Sequence, residues 1–583
     1  MMNLMRHRGP DDEGIFLENN IGLGFVRLSI IDLSPKGHQP MISEDKRYVL
    51  IFNGEIFNYI EIRKALELKG HIFYSNSDTE VLLNAYREWG NQCLHKFNGM
   101  WAFVIYDRLT KKIFAARDRY GIKPFYYSIN QSQIIFASEI RPIKIIDQKL
   151  TINKLAVFDY LVYNRIDYDN TTFYNEIKKL PHGCSFSCED HTFSLNQWYI
   201  LREELKEPYK SPEEFIESFN SAIELRLRSD VPVGVCLSGG LDSSSITSVL
   251  INYFNRNDIN TFSAIYNSKH YGDESKYIAL YKAQLKNMFY TKPDADSLFH
   301  DKEDFITSMG EPVPSTYPYA HFKVMELAKK HVVVTLDGQG ADEQFAGYHY
   351  FFGLFFKGLL YKGKFKGLSQ ELYQYIKKHK SAYGLITFIY YLLPSFLKTQ
   401  SALFTRNYLN KCFLDQYRKK SHLAGTFYGS QNLSEALLDH FEYKLEHLLK
   451  YEDRNSMWFS LESRVPFMDY RIVEKTLSLP EEKIIHKGVT KYLLREAMVS
   501  ILPNEIYNRQ DKIGFDPPQD DWFRKNLFRN YIQNEILLPS SVISEYIDIN
   551  KAKKLYLEHL YKKRHISHEI WKWINLEVWL RNQ

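Results

Sequence analysis

The chain has 583 residues (69.0 kDa), of which 44% are hydrophobic and 25% charged. That balance excludes a disordered or membrane-embedded polypeptide, and at roughly 100–200 residues per domain the length calls for two to four domains. Lys+Arg 75 against Asp+Glu 70 leaves a net charge of +5, which asks for neither a nucleic-acid nor a membrane partner.

Residues 1 to about 200 read as β-rich. The runs YVLIFN, WAFVIYD, KIFAAR, PFYYS and QIIFAS are short, apolar or aromatic, and separated by turn residues. Between them YIEIRKALELKG and DTEVLLNAYREWG carry helical spacing, with Ile62 and Leu66 on one face and Val81, Leu82 and Tyr86 on the other helix's face. Two helices over several strands predict a layered α/β sandwich. The pair Asn53-Gly54 within VLIFNGEIFNY also fits a hairpin turn when read alone.

A change of pattern near 200–212, around Pro208 and Ser211-Pro212, predicts a domain boundary, with one domain over 1–203 and a second over 210–583. Beyond it VPVGVCL, TFSAIY and HVVVTL are short β-branched strands separated by long helical segments. That alternation predicts a doubly wound parallel sheet with helices on both faces. After Tyr348 the chain reads as almost wholly helical to its end.

The strongest chemical signal is Ser238-Gly239-Gly240-Leu241-Asp242-Ser243-Ser244, between a strand and a helix. Glycines let the backbone approach an anion, the helix N-terminus offers unpaired N–H groups, and serine hydroxyls add donors. Asp242 suits the Mg²⁺ that neutralises phosphates. No Walker A pattern is present. A second loop, Asp337-Gly338-Gln339-Gly340-Ala341-Asp342-Glu343, follows another strand, and in a doubly wound sheet both would meet in one crevice. Asp342 then offers a second carboxylate to Mg²⁺.

AYGLITFIYYLLPSFL, Ala382 to Leu397, follows KKHK and resembles a membrane anchor. It falls short of the ~20 apolar residues that span a bilayer and Pro394 interrupts it, so the expectation is a buried or partner-facing helix. The preceding lysines (Lys357, Lys362, Lys364, Lys366, Lys377, Lys378, Lys380) read as a solvated face, with weak contact to an acidic surface as the alternative. The five cysteines, Cys93, Cys184, Cys188, Cys236 and Cys412, show neither a disulfide framework nor zinc spacing, and no apolar leader opens the chain. Cytoplasmic residence is the expectation.

Together these motifs resemble the glutamine-dependent asparagine synthetases of the asparagine synthetase B family over nearly the whole chain. PVGVCLSGGLDSS, LDGQGADEQFAGY, EDRNSMWFSLESRVPFMD, TKYLLREAM and LPNEIYNRQDKIGF match in the C-terminal part. HRGPDDEG, FVRLSIID, IFNGEIFNY, SDTEV, FNGMWAFVIYD and ARDRYGIKPFYY match in the N-terminal part. The resemblance implies an N-terminal-nucleophile α/β/β/α glutaminase sandwich joined to an ATP-pyrophosphatase domain with a helical C-terminal part. It implies that an aspartate carboxylate attacks ATP, giving an aspartyl-adenylate and pyrophosphate, and that ammonia from glutamine then displaces AMP.

Carried over by position, Ser238 to Ser244 hold pyrophosphate, and Asp242 and Asp342 hold Mg²⁺. Ala264, Asp337 and Gly338 line the nucleotide, and Lys491 stabilises charge at the reacting centre. Asp453 and Arg454 stand as substrate-recognition residues or as an internal ion-pair network. In the N-terminal half, Arg27 grips the glutamine carboxylate, Glu55 and Asp78 its ammonium, and Asn53 with the Gly54 N–H forms an oxyanion hole. A homodimer is the family's frequent form.

Two departures qualify this. Gln339 stands where these synthetases often have Glu, which opens a second reading: amidation of another carboxylate, such as a uronate in surface-polysaccharide synthesis. The family's nucleophile is an N-terminal cysteine in an M-C-G-I opening, whereas Met1-Met2-Asn3 stands here, and no internal thiol has the adjacent amine. The expectation is a start upstream of Met1; the alternative is a truly shortened chain that uses free ammonia or has lost activity, and in either case the chain as written is not expected to hydrolyse glutamine. The third reading is a non-catalytic glutamine-sensing or assembly protein.

Overall fold

The computed structural model describes residues 1–130, 133–147, 149–189, 192–266, 270, 272–423, 429–511 and 517–583. The KIGF end of the LPNEIYNRQDKIGF motif lies outside them.

Alternation along two central strands builds the N-terminal layers. Strands β1 (Asp12–Glu18) and β2 (Ile21–Arg27) form a hairpin, and β3 (Met41–Ile42) pairs with β4 (Tyr48–Ile56). Helices α1 (Tyr59–Glu67) and α2 (Asp78–Trp89) follow, then β5 (Gly99–Asp107) and β6 (Lys112–Arg117). In β5 the odd-numbered Trp101, Phe103 and Ile105 pack with Ile62, Leu66, Val81 and Leu82 of the helices. The even-numbered Ala102, Val104 and Tyr106 face Leu23 of the hairpin and Phe125 and Tyr127. Period-2 side chains buried on both faces place this strand at the centre of a sandwich.

A small sheet of β7 (Tyr126–Ile129), β8 (Ile134–Ala137) and β9 (Ile177–Lys179) completes the second β layer. Helices α3 (Ile140–Ile146) and α4 (Lys154–Tyr163) cover it with Ile140, Ile143, Val157 and Leu161. Strands β10 (Cys184–Glu189) and β11 (Thr192–Gln197) extend the large sheet, whose order is β11-β10-β6-β5-β4-β3. The layering is α/β/β/α. Asn53 and Gly54 lie inside β4, paired with Ala102 and Trp101, so the isolated hairpin reading does not hold.

Helix α5 (Pro212–Arg226) leads into the second sheet. There β12 (Val233–Cys236), α6 (Leu241–Asn252), β13 (Asn260–Ala264), β14 (Asn287–Thr291), α7 (Tyr317–Ala328) and β15 (Val334–Leu336) alternate. Helices α8 (Phe351–Tyr361), α9 (Phe365–His379), α10 (Tyr383–Leu392), α11 (Ser395–Phe404) and α12 (Leu445–Trp458) precede β16 (Glu462–Arg464). Helices α13 (Tyr492–Met498) and α14 (Ser567–Arg581) come after it. The sheet is wholly parallel in the order β14-β13-β12-β15-β16. The chain leaves β12 toward β13 and returns to its other side as β15, so the order reverses between β12 and β15. Ligand crevices open at that reversal, beyond the C-terminal strand ends.

The expectation of a helical tail after Tyr348 missed β16. Its residues Glu462, Ser463 and Arg464 are polar yet buried, a composition that carries no strand signal. Arg464 donates to the carbonyls of Arg226 and Arg228 and pairs with Glu462, and Ser463 donates to Asp337. Lys357 likewise departs from the expected solvated face: α8 is a core helix, and its Nζ donates to the Ser430 carbonyl at 3.0 Å. The two halves share one hydrophobic core, in which Phe57, Met100, Tyr120 and Tyr199 join Phe215, Phe219 and Phe441. No helix among the described residues is long and apolar enough to cross a membrane.

Candidate active site

Two cavities border α12. The larger, about 510 Å³, lies at the reversal between β12 and β15. Its wall includes Ser238, Gly240, Leu241, Asp242 and Ser243 from the first loop, Asp337, Gly338, Gln339 and Asp342 from the second, and Lys491. Gly239, Ser244 and Ala264 stand back from it: Gly239 turns the loop at φ +77, Ser244 is fully buried in α6, and Ala264 ends β13.

The first loop is laced to itself. Ser243 Oγ accepts from the Ser238 N–H at 3.2 Å and faces Ser238 Oγ at 3.0 Å, while Ser238 Oγ accepts from the Gly240 N–H at 3.2 Å. These bonds fix the start of α6, an N-terminus that favours anions. Lys491 Nζ lies 2.5 and 2.6 Å from the two oxygens of Asp242 and 2.6 Å from Asp342 Oδ1. Residues far apart in sequence thus place two carboxylates and one ammonium at the same point. Gly347 is required beside them, because a Cβ there would overlap Asp342 Oδ1 and crowd Lys491 Cε. Lys491 itself adopts φ +56, which turns its side chain inward at the start of α13.

Several wall residues escaped the sequence reading. Arg509 donates to the Gly239 carbonyl at 3.0 Å and pairs with Glu274 at 2.6 Å, bracing the loop from behind. Arg495 follows Lys491 by one helical turn, a spacing that could have revealed it, and burial lowers its pKa to about 10. His321, Glu452 and Asn455 form the far wall, with His321 Nε2 3.2 Å from Glu452 and 3.6 Å from Asp337. Cys236, His321 and Asp337 offer ligand atoms within 4.8 Å of one another. Burial opposes charging His321, yet Glu452 and Asp337 raise it to about 9, while burial pushes the Cys236 thiol well up. At neutral pH the His321 ring and the Cys236 thiol keep their protons beside an ionised Asp337, whose carboxyl His321 holds below the usual range, and an imidazolium has no lone pair for a metal.

The smaller cavity, about 360 Å³, is walled by Arg27, Asn53, Gly54, Glu55 and Asp78 together, with Met1, Met2 and Met5 beside them. Arg27 is held by three carbonyls, with Nη2 donating to Asp32 at 2.5 Å and Ile31 at 3.3 Å and Nη1 to Ser34 at 3.1 Å. Asp78 reaches across to β4, where its Oδ2 accepts from the Ile56 N–H at 2.9 Å. Burial raises Asp78 to about 6, and burial with repulsion from Asp78 and Glu462 raises Glu55 well above the usual carboxylate range. Glu55 Oε2 is buried without a hydrogen-bond partner. Two crowded carboxylates of this kind are relieved by a cation. None of the five cysteines lies on this wall; Cys236 is on the larger cavity.

Asp453 and Arg454 touch neither cavity and belong to the ion-pair network of the two readings. Asp453 binds Arg8 through two bonds of 2.9 and 3.0 Å, and Arg454 pairs with Glu139 at 2.9 Å. Together they fasten α12 to the N-terminal sandwich.

Fold and cavities define a two-site protein, an amidotransferase-type sandwich joined to a phosphate-binding doubly wound domain. Residues 1–199 match the family described as glutamine amidotransferase domain and residues 214–581 the one described as asparagine synthase. The chain belongs to the asparagine synthase family, a family of amidotransferase ligases. It is 30% identical to asparagine synthetase [glutamine-hydrolyzing] 1 of Bacillus subtilis, over 99% of this chain and 92% of that one. Asparagine synthetase [glutamine-hydrolyzing] 3 of the same organism is 29% identical over 88% and 82% of the two chains. Amidase chry2 of Gibberella zeae is 26% identical over 88% and 84%.

Proposed function

We propose that this protein amidates the side-chain carboxylate of aspartate at the expense of ATP, through an aspartyl-adenylate, with ammonia as the attacking nitrogen. The observation that carries the reading is the convergence of Asp242, Asp342 and Lys491 at the mouth of the Ser238–Ser244 loop. The loop and the α6 N-terminus would take the pyrophosphate end of ATP. Oxygen-only donors such as Asp242 and Asp342 suit Mg²⁺, which binds through one or two carboxylates plus phosphate and supplies charge neutralisation there.

In the first step a carboxylate oxygen attacks the α-phosphorus and the bond to pyrophosphate breaks. Lys491, within reach of that centre, stabilises the negative charge that develops. In the second step ammonia adds to the acyl carbon, the bond to the phosphate oxygen breaks, and AMP leaves with one proton released from nitrogen. Adenylation is needed because an oxide is a poor leaving group.

In the smaller cavity Arg27 would bind a glutamine carboxylate and Glu55 with Asp78 its ammonium, leaving Asn53 and the Gly54 N–H for the amide oxygen. None of the five cysteines of this sequence lies on that wall. A second reading changes only the acceptor. Gln339, uncharged, stands on the cavity wall where a carboxylate would carry charge to the reaction, and a relative named an amidase shares most of the framework.

Pyrophosphate release from ATP, with aspartate and either ammonium or glutamine, tests the reading. Pyrophosphate and asparagine with ammonium alone support it. No pyrophosphate with aspartate under either condition transfers the reading to another carboxylate.

A further inference from the structure

The net charge of +5 hides a local concentration. Between Lys362 and Phe404 stand seven lysines and one carboxylate, Glu371. Glu371 is turned inward, where it accepts from the backbone N–H groups of Lys487 and Gly488 at 2.9 and 2.8 Å. Lys362 and Lys364 pair with Glu481 and Glu482, whereas Lys366, Lys377, Lys378 and Lys380 are exposed and make no ion pair among the described residues.

The same segment exposes apolar side chains. Helix α8 is buried, and α9 and α10 cover it: Gly384 packs on the Tyr375 ring, and Gly353 of α8 approaches the α10 backbone at Thr387 and Phe388. Their outer sides show Phe365, Ile376, Ile386 and Ile389, and α11 shows Phe396 and Phe404, all between 51% and 86% exposed. Phe365 and Ile376 stand three helical turns apart on one face, with Lys366 and Lys377 next to them. Ile386 and Ile389 share a face of α10 by the i, i+3 rule. A soluble surface rarely groups this much apolar area without an occupant.

We infer that the α9–α11 face docks on an anionic lipid bilayer surface, with the isoleucines and phenylalanines entering the headgroup boundary and the lysines meeting lipid phosphates. Interfacial helices combine these two features, an apolar face and a rim of lysines. Charge decides against a second copy of the chain, since a two-fold contact through this face would oppose lysine to lysine with no carboxylate between them. The expected sequence features were an apolar helix too short to span and a basic run before it; the structure exposes both on neighbouring helices that cover α8.

Co-sedimentation of the full chain with phosphatidylcholine vesicles, with and without one-third phosphatidylglycerol, tests this. Binding should require phosphatidylglycerol and weaken at least tenfold when salt rises from about 0.1 to about 0.5 M. The triple variant Lys366→Glu/Lys377→Glu/Lys378→Glu should lose about 100-fold, at roughly fivefold per lysine. Ile386→Asp/Ile389→Asp should lose about tenfold while melting as the parent does. Failure of the unaltered chain to bind anionic vesicles at low salt overturns the inference, whatever the variants do. So does equal binding by both variants, or a solution dimer that either variant dissociates, which would assign the face to a second copy.

Discussion

The two cavities handle charge in opposite ways. In the smaller one Glu55 and Asp78 crowd together with Glu462 nearby, and Arg464, 3.5 Å from Glu55, is their nearest counter-charge. In the larger one Asp242 and Asp342 are brought together by Lys491 at hydrogen-bond distance. A crowded pair of carboxylates favours a cationic group beside it, whereas a lysine between two carboxylates at a helix N-terminus favours a phosphate and its metal. On the proposed reading the chain carries an ammonium receiver and a phosphate receiver, distinguished by how their carboxylates are held: crowded together at Glu55 and Asp78, bridged by Lys491 at Asp242 and Asp342.

Separate damage to the two sites breaks or sharpens this contrast. Lys491→Ala should slow pyrophosphate formation by about a thousandfold, since it removes a charge that acts on the reacting centre and leaves Asp242 and Asp342 mutually repelling. Glutamine binding, followed by calorimetry, should be untouched. An equal loss of both would show that the sites are not independent.

The converse variant, Glu55→Gln, should weaken glutamine binding by about tenfold or more, the worth of one hydrogen bond to a charged group. Ammonium-dependent pyrophosphate release should stay at the parent rate. A smaller effect comes from pH. On the proposed reading ionised Asp78 meets the ammonium of glutamine, so affinity should be level between about pH 7 and about pH 8 and fall severalfold as pH drops through the value near 6. The sign for stability is opposite. Because the folded-state value lies above the ordinary one, ionised Asp78 costs stability above pH 6, and that cost is relieved on acidification. Glutamine affinity that rises on acidification would remove Asp78 from the cation site.

Much of this was legible in the residues. The period-2 runs that became β4, β5 and β6 are apolar on both faces, and the glycine-serine loop after Val233–Cys236 pointed by composition to the wall of the larger cavity, where it stands. What stayed hidden was carried by long-range partners. Glu462, Ser463 and Arg464 form a strand only because Asp337 and the carbonyls of Arg226 and Arg228 satisfy them. Lys357 is buried because Ser430 offers it a carbonyl. His321 and Glu452 enter the larger cavity from two helices with no shared motif, so local pattern could not pair them. Asp453 and Arg454 divided evenly between two roles until Arg8 and Glu139 were placed beside them.

The central claim is that the acceptor carboxylate attacks phosphorus. Aspartate labelled with oxygen-18 in its side-chain carboxylate, incubated with ATP, Mg²⁺ and ammonium, tests it directly. The account predicts one labelled oxygen in the AMP recovered alongside asparagine. Asparagine formed with unlabelled AMP, or with ADP in place of AMP, would contradict it.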